Sequence, residues 1–154
     1  LDNMDGVLAG VALTQALALL LFPVPVARSA ALLTWTLPAI LLLTLPPARL
    51  YLGDSGSHLV GAMLAVEALQ VLIGEEGVRA RFVLPLALVF AVPLVDVAVV
   101  TVSRTRRRRP ILRGGTDHLS HRLVRAGWSV PRAVLILVLA SGVCGIAALL
   151  LAYS

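Results

Sequence analysis

Five apolar stretches, at about 6–22, 29–46, 57–73, 82–103 and 131–152, constrain this chain more than any other feature. Each is close to the roughly 20 residues that an α-helix needs to cross a bilayer core. They do not alternate apolar with polar residues, and they are longer than the strands of an outer-membrane barrel. Only 14% of the 154 residues are charged and 59% are hydrophobic, whereas ordinary soluble domains carry about 25% charged residues. The expected fold is an all-α integral membrane protein of about five transmembrane helices.

The breaks between the stretches are helix breakers. Pro23 and Pro25 close the first run, Pro46 and Pro47 the second, and Gly74 with Glu75 and Glu76 the third, while Ser129 and Pro131 suit the start of the last helix. Phe22, Tyr51, Phe82, Trp128 and Tyr153 fall near expected helix ends, where aromatic rings anchor at the headgroups; Trp35 does not. Pro38, Pro85 and Pro93 lie within apolar runs and require neighbouring helices to satisfy the carbonyls they free.

Orientation is read from the arginines, since the chain has 13 of them and no lysine. Five crossings put residues 1–5, 47–56 and 104–130 on one side. That side holds Arg49, Arg104, Arg106 to Arg109, Arg113, Arg122 and Arg125, against Arg28, Arg79 and Arg81 on the other. The positive-inside rule makes the arginine-rich side cytoplasmic. The net charge of +5 then reflects topology, and no soluble domain accompanies the Arg run to suggest a nucleic-acid partner. The single cysteine, Cys144, excludes an internal disulfide and a cysteine metal cluster. All 154 residues read as one helical domain. The abrupt start without Met leads us to expect a further N-terminal part outside this sequence.

The polar residues of interest gather in the three segments assigned to the cytoplasmic side: "LDNMDG", "YLGDSGSHLVG" and "GGTDHLSHRL". In the second, Gly53 and Gly56 permit tight turns, Ser55 and Ser57 can cap the following helix, and Asp54 falls near its N-terminus. Asp54 reads either as a helix cap or as a ligand for a hard cation such as Mg²⁺, which needs only one or two protein carboxylates beside water and substrate phosphate. Asp2 and Asp5, three apart, share a face if the first helix begins early. His118 and His121 are also three apart, flanked by Asp117 and Arg122. Two histidines without a third ligand make a poor zinc site, whereas imidazole and guanidinium groups suit phosphate oxygens. The Arg106 to Arg109 run reads as a topology and headgroup anchor. Acids for a metal, cations for phosphates and a membrane face for a lipid together suggest phosphoryl transfer onto a lipid carrier.

On these motifs the chain resembles the polyprenyl-phosphate N-acetylhexosamine-1-phosphate transferases, which include phospho-N-acetylmuramoyl-pentapeptide transferase. "LDNMDGVLAG" is similar to that family's acidic loop, "ARLYLGDSGSHLVG" to its Gly-Asp-Ser-Gly loop and "GGTDHLSHRLV" to its histidine loop. The resemblance implies the C-terminal half of a ten-helix bundle in a bacterial plasma membrane, with its active face cytoplasmic. It also implies an Mg²⁺-dependent enzyme, with Mn²⁺ as a substitute. The enzyme would move a sugar 1-phosphate, GlcNAc-1-phosphate in the first instance, from a UDP-sugar to undecaprenyl or another polyprenyl phosphate and release UMP. Carried over, Asp54 is the metal ligand, and Asp2, Asp5, Asp54, His118 and His121 are the catalytic set. Asn3, Ser55, Asp117 and Arg122 become substrate-binding residues.

The chain departs from the family pattern in lacking the upstream paired aspartates, so alone it is expected to be inactive. Asn3 stands where many members have Gly, and Ser120 where many have His, which tilts the expectation towards the N-acetylglucosamine branch and away from the pentapeptide transferase. Within the helices, Asp96 lies eight residues before Arg104, about 12 Å from the helix end at roughly 1.5 Å per residue. It reads as facing a cleft or a buried polar network. Gln15 and Glu67 read as polar contacts between helices, with Gly61, Ala62 and Ala65 allowing close approach. Two other readings use the same residues: a non-catalytic scaffold or transporter for lipid-linked sugars, and a zinc hydrolase built on His118 and His121. Whether two copies form a homodimer is left open.

Overall fold

The computed structural model describes residues 6–24, 28–45, 49–74, 77–108, 110, 115 and 117–154. The helices are α1 (Val7–Leu20), α2 (Arg28–Thr44), α3 (Gly53–Leu72), α4 (Val83–Val89), α5 (Ala91–Arg106), α6 (Leu119–Arg125) and α7 (Val130–Tyr153). A two-residue hairpin, Ile73–Gly74 against Gly77–Val78, and a 3₁₀ turn at Ala80–Phe82 join α3 to α4. The architecture is all-α and that of a membrane protein. By length and apolarity α3 and α7 are each able to cross a bilayer, and α4 with α5 makes a third crossing if the bent pair is one span. The first apolar run yields a helix of 14 residues and the second one of 17.

The fourth run differs most from the expected single helix. It breaks at Phe90, with 71° between Ala80–Val89 and Ala91–Arg106. Pro93 is the cause: it offers no N–H to the carbonyl four residues back, and its ring crowds that carbonyl. The freed group is Val89 O, and Gln15 Nε2 on α1 donates to it at 3.3 Å. Gln15 is 4% exposed, so the interhelical contact expected of it is also the repair of the proline kink.

Helix α1 lies at the centre. It packs on α7 through small residues: a Cβ at Gly10 would come within 2.4 Å of Val138 Cγ2, and one at Gly145 within 3.2 Å of Ala18 Cβ. Thr14 Oγ1 and Ser141 Oγ, 2.7 Å apart, add a hydrogen bond across the same pair. The close approach expected at Gly61 is not found, since among the described residues no atom of another element lies within 4 Å of a Cβ there. Gly61 and Ala65 instead face an apolar hollow of about 700 Å³ between α1, α3 and the bent pair.

Phe22 and Phe82 also differ from expectation. Both are buried, and their rings meet edge to face with centroids 5.8 Å apart, so they staple the end of α1 to the start of α4 and leave the headgroup position to exposed Tyr51, Trp128 and Tyr153. Tyr153 donates to Leu21 O at 3.0 Å, which fixes the end of α7 beside the end of α1. The starts of α1 and α7 consequently share the opposite end of the bundle. A second apolar cluster, Val7, Val11, Val92, Val134 and Leu137, fills that end, with Leu119 and Leu123 of α6 packed against it.

Candidate active site

The short helix α6 carries the histidine loop, and α5 holds it in place. Asp96, Val100 and Arg104 are buried at successive four-residue steps along α5, so one helical face presents an acid near its middle and a cation at its end. Asp96 is 1% exposed. Its Oδ1 accepts the backbone N–H of Leu119 at 2.7 Å, and its Oδ2 lies 2.8 Å from His118 Nδ1. His118 occupies the N-cap of α6, but its own side chain makes no capping bond. The cap therefore comes from a carboxylate in another helix.

The flank of the loop is held by charge. Asp117, 8% exposed, accepts from Arg104 Nε at 3.4 Å and lies 3.7 Å from Arg107 Nη1. Arg122 Nε returns from α6 to donate to Asp117 O at 2.9 Å. Arg104 and its partner are both largely excluded from water, where loss of one member leaves a buried charge uncompensated. Arg107 and Arg122, by contrast, are exposed. They border a groove of about 440 Å³ along α5 that Ala98, Val99 and Val102 line beside Ser103 and Arg106.

Of the residues singled out from sequence, Asp117, His118, His121 and Arg122 come together in this loop and the first turns of α6. His121 is half-buried there. Asp54 lies in the first turn of α3 rather than capping it; the N-cap is Leu52, and no side chain makes a capping bond. Ser55 is exposed beside it, while Ser57 Oγ donates to Asp54 O at 3.0 Å and His58 Nδ1 contacts the same carbonyl. Among the described residues no hydrogen bond or ion pair engages the Asp54 carboxylate. Asp2, Asn3 and Asp5 lie outside the described residues, although Val7, two positions after Asp5, belongs to the apolar cluster beneath α6.

Asp96, Arg104 and Arg107 enter the site from outside that set. The sequence signal for Asp96 was an acid inside an apolar run, two full helical steps of four from Arg104. The arginines were masked by the topology signal they also carry. An exposed carboxylate at the head of α3 fits Mg²⁺, which takes few protein ligands. A carboxylate behind an imidazole also serves to orient metal-bound histidines, but among the described residues no group of three His, Cys, Asp or Glu side chains converges. The arginines around α6 favour phosphate as the partner of this face.

Residues 1–72 match the family model described as glycosyl transferase family 4. The chain is 34% identical over 165 residues to the decaprenyl-phosphate N-acetylglucosaminephosphotransferase of Mycobacterium tuberculosis, covering 92% of this chain and 41% of that protein. It is 35% identical over 164 residues to the protein of the same name in Mycolicibacterium smegmatis, covering 92% and 40%. Over residues 1–72 the chain thus resembles glycosyl transferase family 4. A more distant relative is the phospho-N-acetylmuramoyl-pentapeptide-transferase of Deinococcus radiodurans, 32% identical over 132 residues, 82% of this chain and 37% of that protein. The chain thus spans about two-fifths of the length of the family-4 relatives it matches.

Proposed function

We propose that this chain forms part of an enzyme that transfers a sugar 1-phosphate, GlcNAc-1-phosphate, from a UDP-sugar to a polyprenyl phosphate. The observation that carries this reading is the anchored histidine loop: His118, His121 and Arg122 held beside Arg107 in a chain aligned over most of its length with phosphotransferases of that lipid class. The apolar hollow between α1, α3 and the bent pair offers a membrane-level slot for isoprenoid units. The wider Arg surface at the end of α5 suits the cytoplasmic leaflet of a bacterial plasma membrane.

In the reaction, an oxygen of the lipid phosphate attacks the phosphorus that bears the sugar. The bond from that phosphorus to the bridging oxygen breaks, and UMP leaves with the electron pair. Both reactants are anionic, so the protein's task is to offset charge and hold the two phosphates in line. His118, His121 and Arg122 donate to diphosphate oxygens, and Asp2 and Asp5 border the nucleotide. Asp54 would hold Mg²⁺, which there supplies neutralisation of the charge on the diphosphate.

The test is product formation by the full-length gene product in liposomes, with UDP-GlcNAc labelled in the sugar and in the phosphate next to it. The proposal expects both labels in the lipid extract only when polyprenyl phosphate and Mg²⁺ are supplied. Sugar transfer without the phosphate label would contradict it, and binding of lipid-linked sugar without transfer would favour a scaffold or transporter.

A further inference from the structure

Capping a helix normally takes a Ser, Thr, Asp or Asn at the N-cap itself. Here the N-cap is His118, and the cap is supplied from 23 residues away by Asp96, through Leu119 N at 2.7 Å. The same carboxylate holds the imidazole, with 2.8 Å between Oδ2 and Nδ1. One buried acid therefore fixes both the start of α6 and the plane of the ring. The Asp96 side chain is 2% exposed and that of His118 25%, so the ring is gripped on its inner side and open on its outer one.

We propose that Asp96 is the positioning residue for His118: it keeps the proton of the ring on Nδ1 and leaves Nε2 as the nitrogen offered to a phosphoryl oxygen of the substrate. This rests on the transferase reading above. An ionised carboxylate only accepts hydrogen bonds, so Nδ1 must donate. A phosphoryl oxygen on the other side also only accepts, so as substrate binds Nε2 takes up a proton from water, and the ring between Asp96 and substrate carries one positive charge. It acts there as a charge-assisted donor, about twice as strong as a neutral one. Arg107 and Arg122, both exposed and both in contact with Asp117, the neighbour of His118, add positive charge to this end of the bundle.

Asp96→Asn makes a sharp test because it preserves shape. The Leu119 N–H still requires an acceptor, so the amide oxygen stays on that side and the NH₂ group faces Nδ1. Nδ1 must then accept, and the proton moves to Nε2. In the full-length protein, ¹⁵N spectra of the imidazoles, assigned by loss of the signal in His118→Gln, are expected to show Nδ1–H in the ligand-free wild type. Asp96→Asn is expected to show Nε2–H. With UDP-GlcNAc as donor, kcat is expected to fall about tenfold with KM within about twofold. Adding Asp96→Asn to His118→Gln should cost nothing more.

A wild-type ring protonated at Nε2 alone would overturn the proposal, whether or not the variant folds. An unchanged tautomer in Asp96→Asn, or additive losses in the double variant, would do the same. Wild-type protein silent with every UDP-sugar would overturn the transferase reading instead, and the ligand-free spectra would still decide whether Asp96 sets the tautomer.

Discussion

Asp117 and Asp96 show how two acids on neighbouring elements divide one task. Asp117 neutralises Arg104 and Arg107, and its backbone carbonyl receives Arg122. Asp96 takes the ring of His118 and the first amide of α6. The Arg104 pair is largely buried, so truncating Asp117 takes a counter-charge from Arg104 in a medium that solvates charge poorly. Asp117→Ala is expected to destabilise the protein by about 3 kcal/mol, read as a shifted midpoint of unfolding in detergent. Adding Arg104→Leu to Asp117→Ala should recover part of that loss, because the buried member of the pair is then gone and Arg107 is exposed to water. A double variant worse than the sum of the two would contradict the pairing. None of these partnerships was legible as such: Arg104 and Asp117 are 13 residues apart across a polar loop, and the surrounding arginines carry the stronger signal of membrane sidedness.

At the scale of elements, the bent pair α4–α5 is the feature that most shapes the site, because it turns the face carrying Asp96 and Arg104 towards α6. Pro93 breaks the ladder, and Gln15 supplies the donor that Val89 O lost. Gln15→Leu is expected to cost about 1 kcal/mol of stability, again by equilibrium unfolding, and less in a Pro93→Ala background where the backbone N–H is restored. Equal costs in both backgrounds would show that Gln15 does not serve the kink. The five apolar runs announced where helices form, and Pro93 was visible in the fourth. Its 71° break was not, because an uninterrupted apolar run reads the same whether the helix inside it is straight or bent. Helix α6 was hidden for a different reason. Seven residues in a polar loop carry too short a period to register, and the helix stands on a cap donated from α5 and an apolar underside. The Gly-Asp-Ser-Gly string marks the head of a helix but not its register: α3 begins at Gly53, four residues before the expected start, which moves Asp54 from the cap into the first turn.

On the scale of the whole molecule, hydrogen bonds and packing set two ends. One gathers Leu21, Phe22, Phe82 and Tyr153; the other gathers the starts of α1 and α7 with α6 and the end of α5. By the positive-inside rule the proposed orientation has the second end facing the cytoplasm. A membrane-impermeant maleimide is therefore expected to label Val78→Cys in intact cells and Ala126→Cys only after permeabilisation, in a protein whose Cys144 has been replaced. The reverse pattern would invert the topology and with it the side proposed for the nucleotide sugar. The most direct measurement of the central claim is UMP release from UDP-GlcNAc, with polyprenyl phosphate and Mg²⁺, by the full-length protein and by its Asp54→Asn and His118→Gln variants. Robust release by the wild type, lost in Asp54→Asn and reduced by a factor of about a hundred in His118→Gln, is the predicted result. Full release by both folded variants would contradict a site built from the head of α3 and the histidine loop.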